Sequence, residues 1–252
     1  MTLTGREQVS LYSIDMYKSY QNINKEHYNN ADFSYRWVDG SVHNVTLVNG
    51  GYDSIDTINN FLMSKMNDNK HYLYDTVNKN KIFYILLQEN AVAYRCMLNI
   101  NPVPSVMPSG CVIEGNWVLP ANPTTPQIIF NNTSLFHTVV GFNKNQTYPP
   151  APQTSLYQVL GESVPIITNI SSLLVKCNIC LSNSGGVINN LLYAFSPSGV
   201  PYGGLINSSP NHELLVPSVS SMFDTIELTI VDQNYQPVEL LDSQVLIVII
   251  LR

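Results

Sequence analysis

The chain is 252 residues long, a length at which all-β sandwiches and barrels often form one domain, and 44% of it is hydrophobic, as in an ordinary globular protein. Charged residues make up only 12%, against a typical figure of roughly 25%, and Asn, Ser, Thr and Tyr stand in their place. The net charge is -6, with seven acids and one base over 161–251 and no cluster of Lys or Arg, which excludes the phosphate-neutralising footprint of direct nucleic-acid binding.

Residues 1–31 are polar, rich in Tyr and Asn and without clear periodicity, and their charges cancel: Arg6, Lys18 and Lys25 against Glu7, Asp15 and Glu26. They read as an N-terminal arm, flexible alone or ordered by packing on neighbours. The opening Met-Thr-Leu-Thr-Gly-Arg lacks the apolar stretch of a secretory signal. Sequons such as Asn44-Val-Thr46 and Asn145-Gln-Thr147 are therefore expected to stay unglycosylated.

Strands begin at Phe33-Ser-Tyr-Arg-Trp37, where aromatic and polar residues alternate, and continue after Asp39-Gly40 at Val42–Val48. From Ser54 to Met66 the period changes, with Ile55, Ile58, Leu62 and Met66 on one face and Asp53 or Ser54 available as N-cap, which predicts the chain's one short helix. Strand patterns return at His71–Val77 and Lys81–Leu87, and Gln88-Glu-Asn90 turns a hairpin into Ala91–Leu98. Residues 99–126 hold six of the fifteen prolines, which lack a ladder donor and so predict edges and loops there. After Pro165 the pattern is almost uniformly β: 166–168, 172–181, 190–195, 213–217, 225–231 and 244–251. The last of these, Gln244-Val-Leu-Ile-Val-Ile-Ile-Leu251, is apolar on both faces and is expected at the centre of a sheet, covered on both sides, with Val245, Ile247, Ile249 and Leu251 toward the core.

The residues that carry chemistry are sparse. His27, His43, His71, His137 and His212 have no metal-ligand spacing, and each is expected at a surface or interface. No Gly-x-Ser-x-Gly elbow, Walker loop or Rossmann fingerprint occurs. Asp224, Glu227 and Asp232 are too thinly spread for a calcium loop and read as strand ends and turns. Cys177 and Cys180 resemble half a zinc clamp, but three residues apart in a strand they would point to opposite faces, and Cys96 and Cys111 are not spaced as a second pair. Buried, reduced cysteines are expected. Catalytic, cofactor-binding and metal-ligating residues are all expected to be absent, so the chain reads as a protein with no enzymatic activity. The run Val245–Leu251 is too short to span a membrane.

Three passages in order resemble the penton (minor capsid) proteins of virophages and Polinton/Maverick-type viruses. They are Val45-Thr-Leu-Val-Asn-Gly-Gly-Tyr52 running into Ile55–Leu62; Pro126–Phe136 with Val140-Gly-Phe142 and Tyr148-Pro149; and the C-terminal block of Leu173–Leu181, Leu191–Phe195, Glu213–Pro217, Ile226–Asp232 and the strand to Arg252. The resemblance implies an all-β single jelly-roll β-sandwich over 32–252, preceded by the arm 1–31. A tally above the eight strands of a jelly roll implies a loop-rich insertion at approximately 99–160. It further implies a homopentamer at the vertex of an icosahedral double-stranded DNA virus shell, beside a double-jelly-roll major capsid protein (hexon), in a virion assembled inside the host cell. A jelly-roll receptor- or carbohydrate-binding module, in trimeric form, is the alternative.

Overall fold

Alternation of apolar and polar residues makes antiparallel strands the predominant regular structure of this chain, seen in a computed structural model that describes residues 8–184, 187–218 and 225–252. Two compact units result: 22–167 is continuous, whereas the other combines 1–21 with 168–252. The all-β class holds, with several antiparallel sheets and three helices among the described residues. The stretch 99–160, expected as a loop-rich insertion, lies within the continuous unit 22–167.

The first strand, β1 (Gln8–Tyr17), lies where the sequence suggested an arm. Val9, Leu11, Ile14 and Met16 are buried, and the alternation changes phase at Tyr12, where a bulge shifts the register. After the bulge Ile14 and Met16 are buried with Asp15 between them only partly so, whereas before it Ser10 is buried along with Val9 and Leu11. Other arm residues are also engaged: Lys18 Nζ donates to Val200 O at 2.8 Å, and Asn207 donates to Asp15.

The continuous unit runs through α1 (Lys25–Tyr28), β2 (Asp32–Arg36), β3 (Val42–Thr46), α2 (Ile55–Asp68), β4 (Leu73–Asp75), β5 (Asn80–Ile82), β6 (Ile85–Asn90) and β7 (Arg95–Ile100). It continues with β8 (Cys111–Ile113), β9 (Gln127–Phe130), α3 (Phe136–Val140), β10 (Gln146–Tyr148) and β11 (Tyr157–Leu160). Its sheets run β10-β9-β2-β3, β11-β7-β6 and β5-β4-β8. Because β9 pairs with β2 and β11 with β7, the stretch 99–160 supplies sheet strands as well as loops. The prolines sit between those strands, where no ladder donor is lost.

Helix α2 forms as its periodicity predicts. Ser54 caps it by accepting from Thr57 N at 3.3 Å, and Ile55, Ile58, Leu62 and Met66 are buried. Asn59 Oδ1 accepts from Leu87 N at 2.9 Å, which pins the helix to β6. Phe33 on β2 stacks on Phe136 of α3 at 4.4 Å between ring centroids, in a core that includes Tyr35, Trp37 and Phe130. Helix α3 ends at Gly141, whose φ of 79° is left-handed and where a Cβ would fall 2.3 Å from Ser163 O.

The second unit adds to β1 the strands β12 (Leu173–Cys177), β13 (Ser182–Ser184), β14 (Val187–Asn189), β15 (Leu191–Phe195), β16 (Leu205–Ser208), β17 (Val216–Pro217), β18 (Leu228–Asp232) and β19 (Val245–Leu251). One sheet centres on β1, which pairs with β16, β17 and β19; another runs β15-β12-β18, and β13 pairs with β14. Residues of β1 and β12 share a core in which Val9, Ile14, Leu173 and Val175 are fully buried.

Candidate functional site

Two clusters of titratable side chains occur among the described residues. In the unit 22–167 a cleft of about 420 Å³ is lined by Asp39, Ser41, His43, Asn69, His71 and Trp117 among others. Hairpin β2–β3 supplies the first three and the end of α2 the rest of one wall. Asn69 Nδ2 donates to Tyr35 OH at 2.7 Å, and the same hydroxyl is hydrogen-bonded to His71 Nδ1 at 2.8 Å. His71 is buried. Its ring lies flat on Trp37 at 4.6 Å and edge-on to His43 at 4.6 Å.

Burial, with the neighbouring His43 second, lowers the His71 pKa from 6.5 to about 4, while Asp39 opposes the shift. His71 is 5% exposed, so the expectation of a surface or interface histidine fails there: the ring is a packing element that happens to ionise. His27 and His212 are exposed, and His137 Nδ1 lies 3.1 Å from Ser134 O.

The group Asp39, Ser41 and His43 brings the residue types of a serine hydrolase together in the wrong order. Ser41 Oγ donates to Asp39 Oδ1, so the 2.8 Å contact with His43 Nε2 is made by a ring N–H donating to the serine oxygen. A nucleophilic serine needs the reverse, with a histidine lone pair taking its proton and a carboxylate orienting that histidine. Here Ser41 only ties the turn between β2 and β3.

Folding should be sensitive to the His71 proton. The unfolded chain binds it below about pH 6.5 and the folded chain only below about pH 4, so stability falls as pH drops between those values and no further below them. Denaturant midpoints measured from pH 7 to pH 4 should therefore fall faster for the parent than for His71→Phe, which has no proton to gain. Parallel curves would show that this ring does not govern the acid limb.

The second cluster is Cys177 with Cys180. The expected opposition of the two thiols across a strand does not occur, because β12 ends at Cys177. Cys180 N donates back to Cys177 O at 3.0 Å, closing a turn, and the two side chains hydrogen-bond to one another. All four cysteines are free, as expected, although Cys111 is only partly buried. Among the described residues no group of three or more His, Cys, Asp or Glu is placed to hold a metal. Asp232 accepts from Asn234 N and Gln236 N at 2.8 Å, in a turn, while Asp224 lies outside the described residues.

Beyond these clusters, the described residues present a sheet edge at β19. Strand β19 pairs with β1 alone among the described strands, so it is not central in its sheet as the sequence suggested. The facing is as expected: Val245, Ile247, Ile249 and Leu251 pack on the core opposite Met16, Ile14, Leu11 and Val9. The other face bears Leu246, 58% exposed, and Val248, 38% exposed. Beside this strand an apolar groove of about 520 Å³ opens between β18 and β19, lined by Leu228, Ile230, Val238, Leu240, Val245 and Ile247. Glu227 and Glu239, which adjoin lining residues in sequence, are exposed. Among the described residues, an edge strand, an apolar face and an open groove together make a surface suited to another protein chain.

No family model matches the sequence, and no curated protein matches it. The fold is similar to that of the mavirus penton protein, with 11% identity and a TM-score of 0.44 over 99% of this chain and 86% of that one. It is also similar to a chain of the Sputnik virophage structure, with 10% identity and a TM-score of 0.40 over 100% of this chain and 89% of that one. No helix among the described residues is long and apolar enough to cross a membrane.

Proposed function

We propose that this chain is a structural capsid protein that forms the vertex capsomer, or penton, of an icosahedral double-stranded DNA virus or virophage shell. It acts as a homopentamer beside a double-jelly-roll major capsid protein, in the virion. The observation that carries this reading is the uncharged edge strand β19, whose outward face keeps Leu246 and Val248 in water. Natural proteins blunt such edges with charge, proline or a covering element, and a shell subunit has neighbours to do the covering. The ordered passages of sequence that resemble penton proteins point the same way.

Mass measurement of the purified chain tests the proposal, with a ring of five expected at moderate salt. Because the acids over 161–251 outnumber the bases seven to one, five copies bring like charges around one axis. At about 0.01 M salt, where the screening length is roughly 30 Å, the ring should dissociate more readily. A trimer stable at every salt concentration would overturn the vertex assignment in favour of a receptor-binding module.

A further inference from the structure

The structure assigns Cys177 and Cys180 as a vicinal dithiol that closes to a disulfide within one turn of the chain, and we propose this pair as a redox-modifiable site. Residues three apart in a hydrogen-bonded β-turn have Cα atoms within about 7 Å, inside the range a disulfide bridges. The turn here is closed by the 3.0 Å bond from Cys180 N to Cys177 O. Both thiols are fully buried and their side chains already touch through a hydrogen bond, so no strand has to move to join them.

The turn is held from outside by Asn178. Its backbone N donates to Glu227 O at 3.1 Å, its Oδ1 accepts from Glu227 N at 2.9 Å, and its Nδ2 donates to Thr225 O at 3.2 Å. Asn178 itself is exposed, so the turn lies at the surface while its sulfurs point inward. The turn is tied again by Leu181 N, which donates to Pro217 O at 2.8 Å, so an oxidant reaches the sulfurs when this bond and the three of Asn178 open together.

The two sulfurs are not equivalent. Cys177 Sγ accepts from the Cys180 thiol and, more weakly, from the Ile179 backbone N–H, which favours its thiolate and lowers its pKa; Cys180, which donates that proton and is desolvated, is pushed up. Cys177 is therefore the attacking group. With a small disulfide such as oxidised glutathione as oxidant, the Cys177 thiolate attacks one sulfur and a mixed disulfide forms while a glutathione thiolate leaves. The Cys180 sulfur then displaces the second glutathione from Cys177. The protein loses two electrons and two protons, and two glutathione thiols are produced. Cys96, buried in the unit 22–167, and Cys111 serve as internal controls.

The test exposes the folded full-length chain to oxidised glutathione, then alkylates it in denaturant and reads its mass and its linked peptides. The expected product has lost two hydrogens, carries one link between Cys177 and Cys180, and keeps two alkylatable thiols at Cys96 and Cys111. Cys180→Ser should instead stop at glutathione on Cys177. Four alkylatable thiols in the treated folded protein, beside disulfides in a sample treated in denaturant, would overturn the assignment. So would the same loss of two hydrogens in Cys177→Ser. The parent's thiol count decides the matter even if a variant does not fold, and it is independent of the capsid reading.

Discussion

Ile14→Asp should yield no soluble folded protein, and the reason lies in the position of β1. Ile14 is fully buried, pairs with Ile247 on one side and Ser208 on the other, and sits in the core that β1 shares with β12. A carboxylate there is taken out of water into a core built mainly of apolar side chains, which costs several kcal/mol, comparable with a domain's whole stability of about 5–15 kcal/mol. Tyr12, two residues earlier, is 62% exposed at the bulge, so Tyr12→Asp should express and melt like the parent. The contrast between the two variants separates a central strand from an arm. If both were tolerated, residues 8–17 would be an appendage after all, and β19 would have lost the strand on which it is built.

That strand also shows what the sequence could and could not reveal. Val9 and Leu11 set one parity, Ile14 and Met16 the other, and only the bulge at Tyr12 puts all four on one face. A scan for period two sees two fragments too short to count, among Tyr and Asn that suggest polarity. Helix α2 was legible because its four apolar residues repeat without interruption for three turns and Ser54 caps it. Helix α3 was not: Thr138, Val139 and Val140 are β-branched, and its helical form is imposed by the stacking of Phe136 on Phe33 and the left-handed stop at Gly141.

Neighbour relations were less legible than facing. The alternation of β19 fixes which side chains meet the core, but no periodicity tells how many strands flank it, so its place at an edge came only from the pairing. The thiol pair failed for a related reason. A strand continued through Cys180 sends the two sulfurs apart, whereas a strand ended at Cys177 brings them together, and a boundary error of three residues reverses the chemistry. At the cleft and behind it, Tyr35, His43 and His71 were readable as residues, but their contact depends on the hairpin meeting the loop after α2, a tertiary relation with no local signature.

Replacing Leu246 and Val248 together by Lys should leave the folded subunit intact and take its assembly apart. Both side chains point away from the core, so lysines there keep their ammonium groups in water, and lysine on an edge strand is the usual guard against pairing. Thermal melting of the double variant should match the parent. At an interface, by contrast, each apolar side chain buried contributes about 1.5–3 kcal/mol, so losing two removes about 3–6 kcal/mol from every contact they make. At about 1.4 kcal/mol per factor of ten, association weakens by roughly a hundredfold to ten-thousandfold per contact, before any cost of burying the new charges. Sedimentation at a concentration where the parent forms rings should therefore show the variant as single chains. A variant that melts with the parent but still forms the parent's ring would place the assembly contacts elsewhere on the chain, while a lower melting point would show that the outer face of β19 is covered within the subunit itself.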